Sequence, residues 1–178
     1  MRINWASLLG PGERLVWQGR PDRKLFVLRK SDIFLIPFSL MWGGFAIFWE
    51  ISVLSTPDPL PFALFGLPFV AIGLYIMFGR FLVDAYVRHN TDYALTNKRA
   101  IIATTAFGTK IRSKPIGPDT EISFTPGPAG SIRLGTEAAA GFDQQNWAVW
   151  HSGGGAFIFE RIFDADQVYK LIRKMQET

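Results

Sequence analysis

Two long apolar runs dominate the first half of the chain, Ile33 to Trp49 and Leu60 to Gly79, and neither contains a charged residue. A helix rises ~1.5 Å per residue, so about 20 residues cross a hydrocarbon core of ~30 Å, and both runs meet that requirement. Between them lies Leu-Ser-Thr-Pro-Asp-Pro-Leu-Pro (Leu54 to Pro61), whose prolines and turn residues stop a helix. The pattern predicts a transmembrane helical hairpin over 32–82, with spans at 33–53 and 60–80. Pro37 and Pro68 fall inside the spans, where lipid-embedded helices tolerate them. Gly43, Gly44, Gly66 and Gly73 offer close helix contact. Trp49 is expected as an interfacial anchor at the outer end of the first span, and Glu50 beside it as a carboxylate in water. Arg80 to Arg88 should carry the second helix a short way into the cytoplasm.

From Thr91 the pattern changes to short β-type runs separated by turn residues. Strands are expected at Asp92–Thr96, Arg99–Thr105, Lys110–Ile116, Glu121–Thr125, Ser131–Thr136, Asn146–His151 and Ala156–Arg161. The last segment is helical: Val168, Leu171, Ile172 and Met175 stand at i, i+3, i+4, i+7 and make one apolar stripe. Asp164 with Gln167 reads as an N-cap and capping box, and Lys170, Arg173 and Lys174 suit the C-terminal end of the dipole. Residues 89–178 therefore form one cytoplasmic domain, an antiparallel barrel or sandwich whose open end the helix covers. Residues 1–31 precede the hairpin as a cytoplasmic lead, in which Glu13 to Gln18 is a short strand or a helical turn.

Charge placement orients the hairpin. All 19 Lys and Arg residues of the 178 lie outside Ser31 to Gly79. Arg2, Arg14, Arg20, Arg23, Lys24, Arg29 and Lys30 precede the spans, and Arg80, Arg88, Lys98 and Arg99 follow them. The connecting turn carries only Asp58. The positive-inside rule then places both termini in the cytoplasm and the turn outside, in a protein integral to the cytoplasmic (inner) membrane. The N-terminal residues lack a signal-peptide pattern, so the first run is expected as an uncleaved anchor.

Little in the chain suits catalysis. There is no cysteine, and the two histidines, His89 and His151, are far apart. Ser152-Gly153-Gly154-Gly155 lacks the flanking pattern of a nucleophile elbow, and no phosphate-binding glycine motif is present. No catalytic residue, metal site or cofactor is expected. Binding has more to work with. Lys110, Arg112 and Lys114 alternate along one strand and share a face. Lys98 and Arg99 lie on the neighbouring hairpin, with Arg133 as a further member, and such a set suits anionic lipid headgroups or an acidic partner. Arg20, Arg23, Lys24, Arg29, Lys30 and Arg80 form a juxtamembrane group that topology by itself demands. Nucleic-acid binding is not expected, because the aromatic residues are assigned to core or lipid.

Several segments resemble one family. Tyr93-Ala94-Leu95-Thr96-Asn97-Lys98-Arg99-Ala100-Ile101-Ile102 is similar to the Y-x-L-T-N-x-R first hairpin of bacterial pleckstrin-homology (PH)-like domains. Gly130-Ser131-Ile132-Arg133-Leu134 resembles their G-x-I-x-F strand, with Leu for the aromatic. Phe159 to Asp164 leading into Val168 to Ile172 resembles their closing strand and helix. Pro11-Gly12-Glu13-Arg14-Leu15 through Gly19-Arg20-Pro21 resembles the lead found before paired membrane helices in the membrane-anchored branch. The resemblance implies an α+β membrane protein: a two-helix hairpin plus a PH-like seven-stranded barrel or sandwich capped by a C-terminal helix. Because the hairpin already anchors the protein, headgroup contacts are not needed to recruit the domain, and a non-catalytic adaptor or assembly module at the membrane surface is expected, with another membrane or cytoplasmic protein, or a second copy of the chain, as partner. An anionic-lipid sensor using the basic strand face is the alternative, and an enzyme or enzyme subunit is a remote third.

Overall fold

The computed structural model describes residues 3–24, 27, 32–135 and 157–177. The expected strand Asn146–His151, the Ser152 to Gly155 segment, Arg29 and Lys30 lie outside the described residues. The chain divides into two compact units: one is residues 24–84, the other joins residues 1–23 to residues 85–178.

The first unit is helical. Helix α1 (Asp32–Leu54) and helix α2 (Leu60–Leu74) are followed by a π-helical turn (Tyr75–Gly79) and helix α3 (Arg80–His89), whose residues from Ala85 belong to the second unit. The α1 helix and the continuous stretch Leu60–His89 are each long and apolar enough to cross a membrane. Pro59 caps α2, and Pro61 sits in its first turn, where the missing N–H costs no hydrogen bond. The two helices meet along a heptad-spaced seam of small residues. Ser39, Gly43 and Ala46 are buried on α1, and Ala63, Gly66 and Gly73 on α2. A Cβ on Gly73 would lie 3.0 Å from Gly43 Cα, so the backbones approach as closely as glycine permits. Aromatic rings flank this seam, running Phe34, Phe38, Trp42, Phe69, Phe65 and Trp49 at centroid separations of 5.3–6.4 Å.

One end of the seam is ionic. Arg80 Nη1 donates to Asp32 Oδ1 at 2.6 Å, with both side chains less than a tenth exposed, and the Arg80 guanidinium also stands 4.4 Å over the Phe81 ring. Towards the other end Glu50, expected as a carboxylate in water, is half-buried. It lies against Gly66, and its Oε2 is enclosed without a hydrogen-bond partner among the described residues. The absent Cβ of Gly66 leaves the space that Glu50 and Trp49 fill.

The second unit is α+β. An antiparallel sheet of order β1-β2-β3-β4 contains β1 (Leu15–Gly19), β2 (Thr91–Thr96), β3 (Arg99–Thr104) and β4 (Lys110–Pro115). A second antiparallel sheet, order β5-β6-β7, contains β5 (Ile122–Thr125), β6 (Gly130–Leu134) and β7 (Phe157–Ile162). Helix α4 (Ala165–Gln176) follows. Of the expected barrel or sandwich, the described strands show no closed barrel: they form two separate sheets. They share one core with the helix, made by Tyr93, Leu95, Ala100 and Ile102 from the first sheet, Ile132, Leu134, Phe157, Phe159 and Ile162 from the second, and Ala165, Val168 and Ile172 from α4. The predicted helical stripe is therefore the buried one. Gly130 admits Ala165, and Phe124 stacks on Tyr169 at 4.9 Å. Gln176 ties the helix end to the β4–β5 loop through the Thr120 carbonyl at 2.7 Å.

Two local expectations change. Asp164 occupies the N-cap position but makes no side-chain cap bond, because its φ of -97° and ψ of 28° are not the extended conformation that aims a carboxylate at the first-turn amides. The N-terminal lead is part of the folded unit: of the Glu13 to Gln18 segment the part from Leu15 is strand, and among the described strands β1 forms the edge of the first sheet beside β2.

Candidate functional site

The main polar constellation is the clasp that holds β1. Gly10, Pro11 and Gly12 turn the chain, Gly12 with a φ of 71°, and this places Glu13 against the β2–β3 hairpin. Its carboxylate accepts four hydrogen bonds: from Thr96 Oγ1 (2.8 Å), Arg99 Nε (2.8 Å), Arg99 Nη2 (3.0 Å) and the Gly10 amide (2.8 Å). Arg99 Nη2 also donates to the Leu8 carbonyl at 2.8 Å. Asn97 accepts from the Arg14 amide (2.8 Å) and donates to the Gly12 carbonyl (3.2 Å), and Lys98 Nζ donates to the Pro11 carbonyl (3.2 Å). The two motifs singled out in sequence, Pro11 to Leu15 and Thr96 to Arg99, are thus two halves of one lock.

The electrostatics follow from that geometry. Hydrogen bonds from Arg99, joined by those from the Gly10 amide and the Thr96 hydroxyl, hold the Glu13 carboxyl down at about 2 against an ordinary 4.5, outweighing the opposing effect of burial. The same bonds raise the Arg99 guanidinium above its usual value.

Two further ion pairs continue the lock along the lead. Arg20 pairs with Asp92 on β2. Asp22 accepts from Arg161 Nη2 at 2.8 Å, while its amide donates to the Arg161 carbonyl at 2.7 Å. Arg161 sits at the β6–β7 register shift with a φ of 52°, a conformation costing a bulky residue roughly 1–2 kcal/mol. Bonds to Asp22 and from its own amide to Ser131 Oγ (3.0 Å) offset that cost. Between these charges Trp17 turns its ring over Gly19 and packs on Phe159, 5.8 Å between centroids, with Tyr93 4.9 Å from the same ring. Along the lead, Glu13, Arg20 and Asp22 alternate in sign, and each meets its opposite on the sheet.

This arrangement disperses the basic set nominated from sequence. Lys98 and Arg99 belong to the clasp. Arg112 and Lys114 share the core-facing side of the sheet with Ala100 and Ile102, their cross-strand neighbours. Arg112 lies 5.8 Å over the Phe157 ring, and Lys114 Nζ donates to the Leu134 carbonyl at 3.0 Å. Lys110 stays exposed, but it stands at the far end of β4, ~13 Å along the strand from Lys114. Arg133 is half-buried on β6, opposite Ser123 and Ile158. Of the juxtamembrane group, Arg23 and Lys24 are exposed, Arg20 pairs with Asp92, and Arg80 is buried against Asp32.

Sequence reasoning overlooked Glu13, Asp22, Asp92 and Arg161. Glu13 and Arg161 had a signal, since each sits in a segment that resembles the family; Asp22 and Asp92 had none beyond their charge. No family model, curated protein or solved structure matches the chain.

Proposed function

We propose that this chain is a two-span protein of the bacterial inner membrane whose cytoplasmic unit is PH-like and works, without catalysis, as an adaptor or assembly module. The support for membrane residence is the pair of long apolar helices together with the complete exclusion of Lys and Arg from Ser31 to Gly79. The support for a PH-like unit is the sequence resemblance, together with antiparallel strands and a C-terminal amphipathic helix sharing one core.

The observation that carries the adaptor reading is the fate of the polar residues. The clasp, the ion pairs and the inward-facing cations are consumed in holding the unit together, whereas strand edges remain open among the described residues. β1 ends its sheet and exposes Leu15 and Val16, which suits addition of a strand from a partner or a second copy. The headgroup-sensor alternative is weaker, because Lys98, Arg99 and Lys114 already have partners within the fold.

Purification of the full chain in mild detergent should give a defined oligomer or one stoichiometric partner, and Val16→Lys on the open edge should dissociate it. A monodisperse monomer with nothing attached refutes the adaptor reading. Reporters fused behind Thr178 and within Ser55–Asp58 test topology: the first should be active in the cytoplasm, the second outside.

A further inference from the structure

The residues that bring the chain out of its second apolar run do not become polar all round. Within α3 both Leu82 and Tyr86 are exposed. In the α+β unit the Tyr86 ring lies 5.5 Å from that of Phe107, in the β3–β4 loop. Phe107 is 77% exposed, an unusual state for a phenylalanine in a loop whose role would be only to connect two strands. Hydrogen bonds fix this loop against the end of α3: the Thr105 amide donates to the Asn90 carbonyl at 2.8 Å, and Thr91 Oγ1 meets both the Val87 carbonyl (2.8 Å) and Thr104 Oγ1 (3.1 Å). Next along the chain, Lys110 and Ile111 are exposed as well.

A tyrosine and a phenylalanine presented together, with an exposed lysine three residues further on, have the composition of a membrane-interface anchor. The rings sit at headgroup level, and the ammonium faces the anionic surface. A water-facing loop gains nothing from such a set, and a loop packed inside the unit would not expose it. The unit is tethered by the very helix that carries Tyr86, so the local concentration of bilayer is high without any separate recruitment.

We infer that the β3–β4 loop, through Phe107 beside Tyr86 and with Lys110 at its rim, inserts into the headgroup region of an anionic bilayer. Apart from Lys110 this surface shares no residue with the basic strand face, and the inference rests on the membrane-spanning part of the proposed function.

The chain has no cysteine, so single introduced thiols report without background. Full-length Thr109→Cys, Asp119→Cys and Phe45→Cys are labelled with an environment-sensitive fluorophore and reconstituted into phosphatidylethanolamine/phosphatidylglycerol vesicles. Quenching by lipids carrying shallow doxyl groups is then measured. Thr109 and Asp119 are exposed loop positions, and Phe45 lies on the exposed face of α1. The expected result is blue-shifted, lipid-quenched emission at Thr109 and Phe45 but not at Asp119, with the Thr109 signal lost when Phe107→Ser is added. Phe107 is exposed, so that change leaves the core untouched. Emission at Thr109 as wet as at Asp119 overturns the inference, as does a Thr109 label shielded from water but blind to doxyl lipid, which places protein over the loop. A wet Phe45 label instead refutes the membrane-spanning reading on which the inference depends.

Discussion

Glu13→Gln tests the clasp most directly. The substitution keeps the shape of the side chain and one carbonyl acceptor but removes the charge that Arg99, Thr96 and the Gly10 amide share. Holding Glu13 at about 2 rather than 4.5 corresponds to a ceiling of roughly 3 kcal/mol for the ionised pairing. That ceiling is not reached, because the Arg99 side chain is 32% exposed and rehydrates when the carboxylate is gone. A loss of about 1–2 kcal/mol is expected, borne by the attachment of β1 rather than by the whole core. Hydrogen exchange of the β1 amides, Leu15–Gly19, reads that attachment in the full chain, and at pH 7 the variant should exchange about 5–30-fold faster. The pH dependence has a definite sign. Glu13 has a lowered value in the folded state, so its contribution is complete above the unfolded value near 4.5 and disappears as pH falls from there towards about 2. After correction for intrinsic exchange, the two proteins should converge across that window. Equal protection of β1 in both proteins at neutral pH refutes the idea that the clasp holds the strand.

The helical unit yields two further predictions. Arg80→Ala removes the 2.6 Å bond to the buried Asp32 carboxylate and should cost up to about 3–5 kcal/mol of hairpin stability, whereas the paired change Asp32→Leu with Arg80→Met should recover most of it, as thermal unfolding in detergent will show. Gly73→Val places a branched side chain against Gly43 Cα and should cost roughly 1–3 kcal/mol, whereas the same change at Gly44, where a Cβ meets nothing within 4 Å, should be far milder. Equal effects at the two glycines would contradict a seam through Gly43 and Gly73.

Much of the fold is legible from local pattern. The boundaries of α1 and the start of α2 follow from uncharged runs bracketed by proline and charge, and the α4 stripe of Val168 and Ile172 is the buried one. The strands β2 to β6 begin and end within two residues of where turn residues place them. The site was less legible. The alternation Lys110, Arg112, Lys114 correctly indicates a shared face but not which face, and that face turns out to be the core side, where long cationic stems cover apolar surface. Likewise a basic residue near a membrane helix satisfies the positive-inside rule whether it is solvated, like Arg23, or paired, like Arg20.

The chain's own order of residues determined two apolar rods, the turn between them, the run of short strands and the closing amphipathic helix, because each is a periodicity contained within its own segment. Only the tertiary structure decided that Leu15–Gly19 joins the sheet beside Thr91–Thr96, that Glu13 and Arg99 form one lock, and that the described strands make two sheets. The physical reason is range. A five-residue strand carries too little pattern to name its partner, and an ion's charge does not say which opposite charge it will meet. Pairing across a gap filled by an entire helical hairpin is settled only when the core around Trp17, Tyr93 and Phe159 assembles.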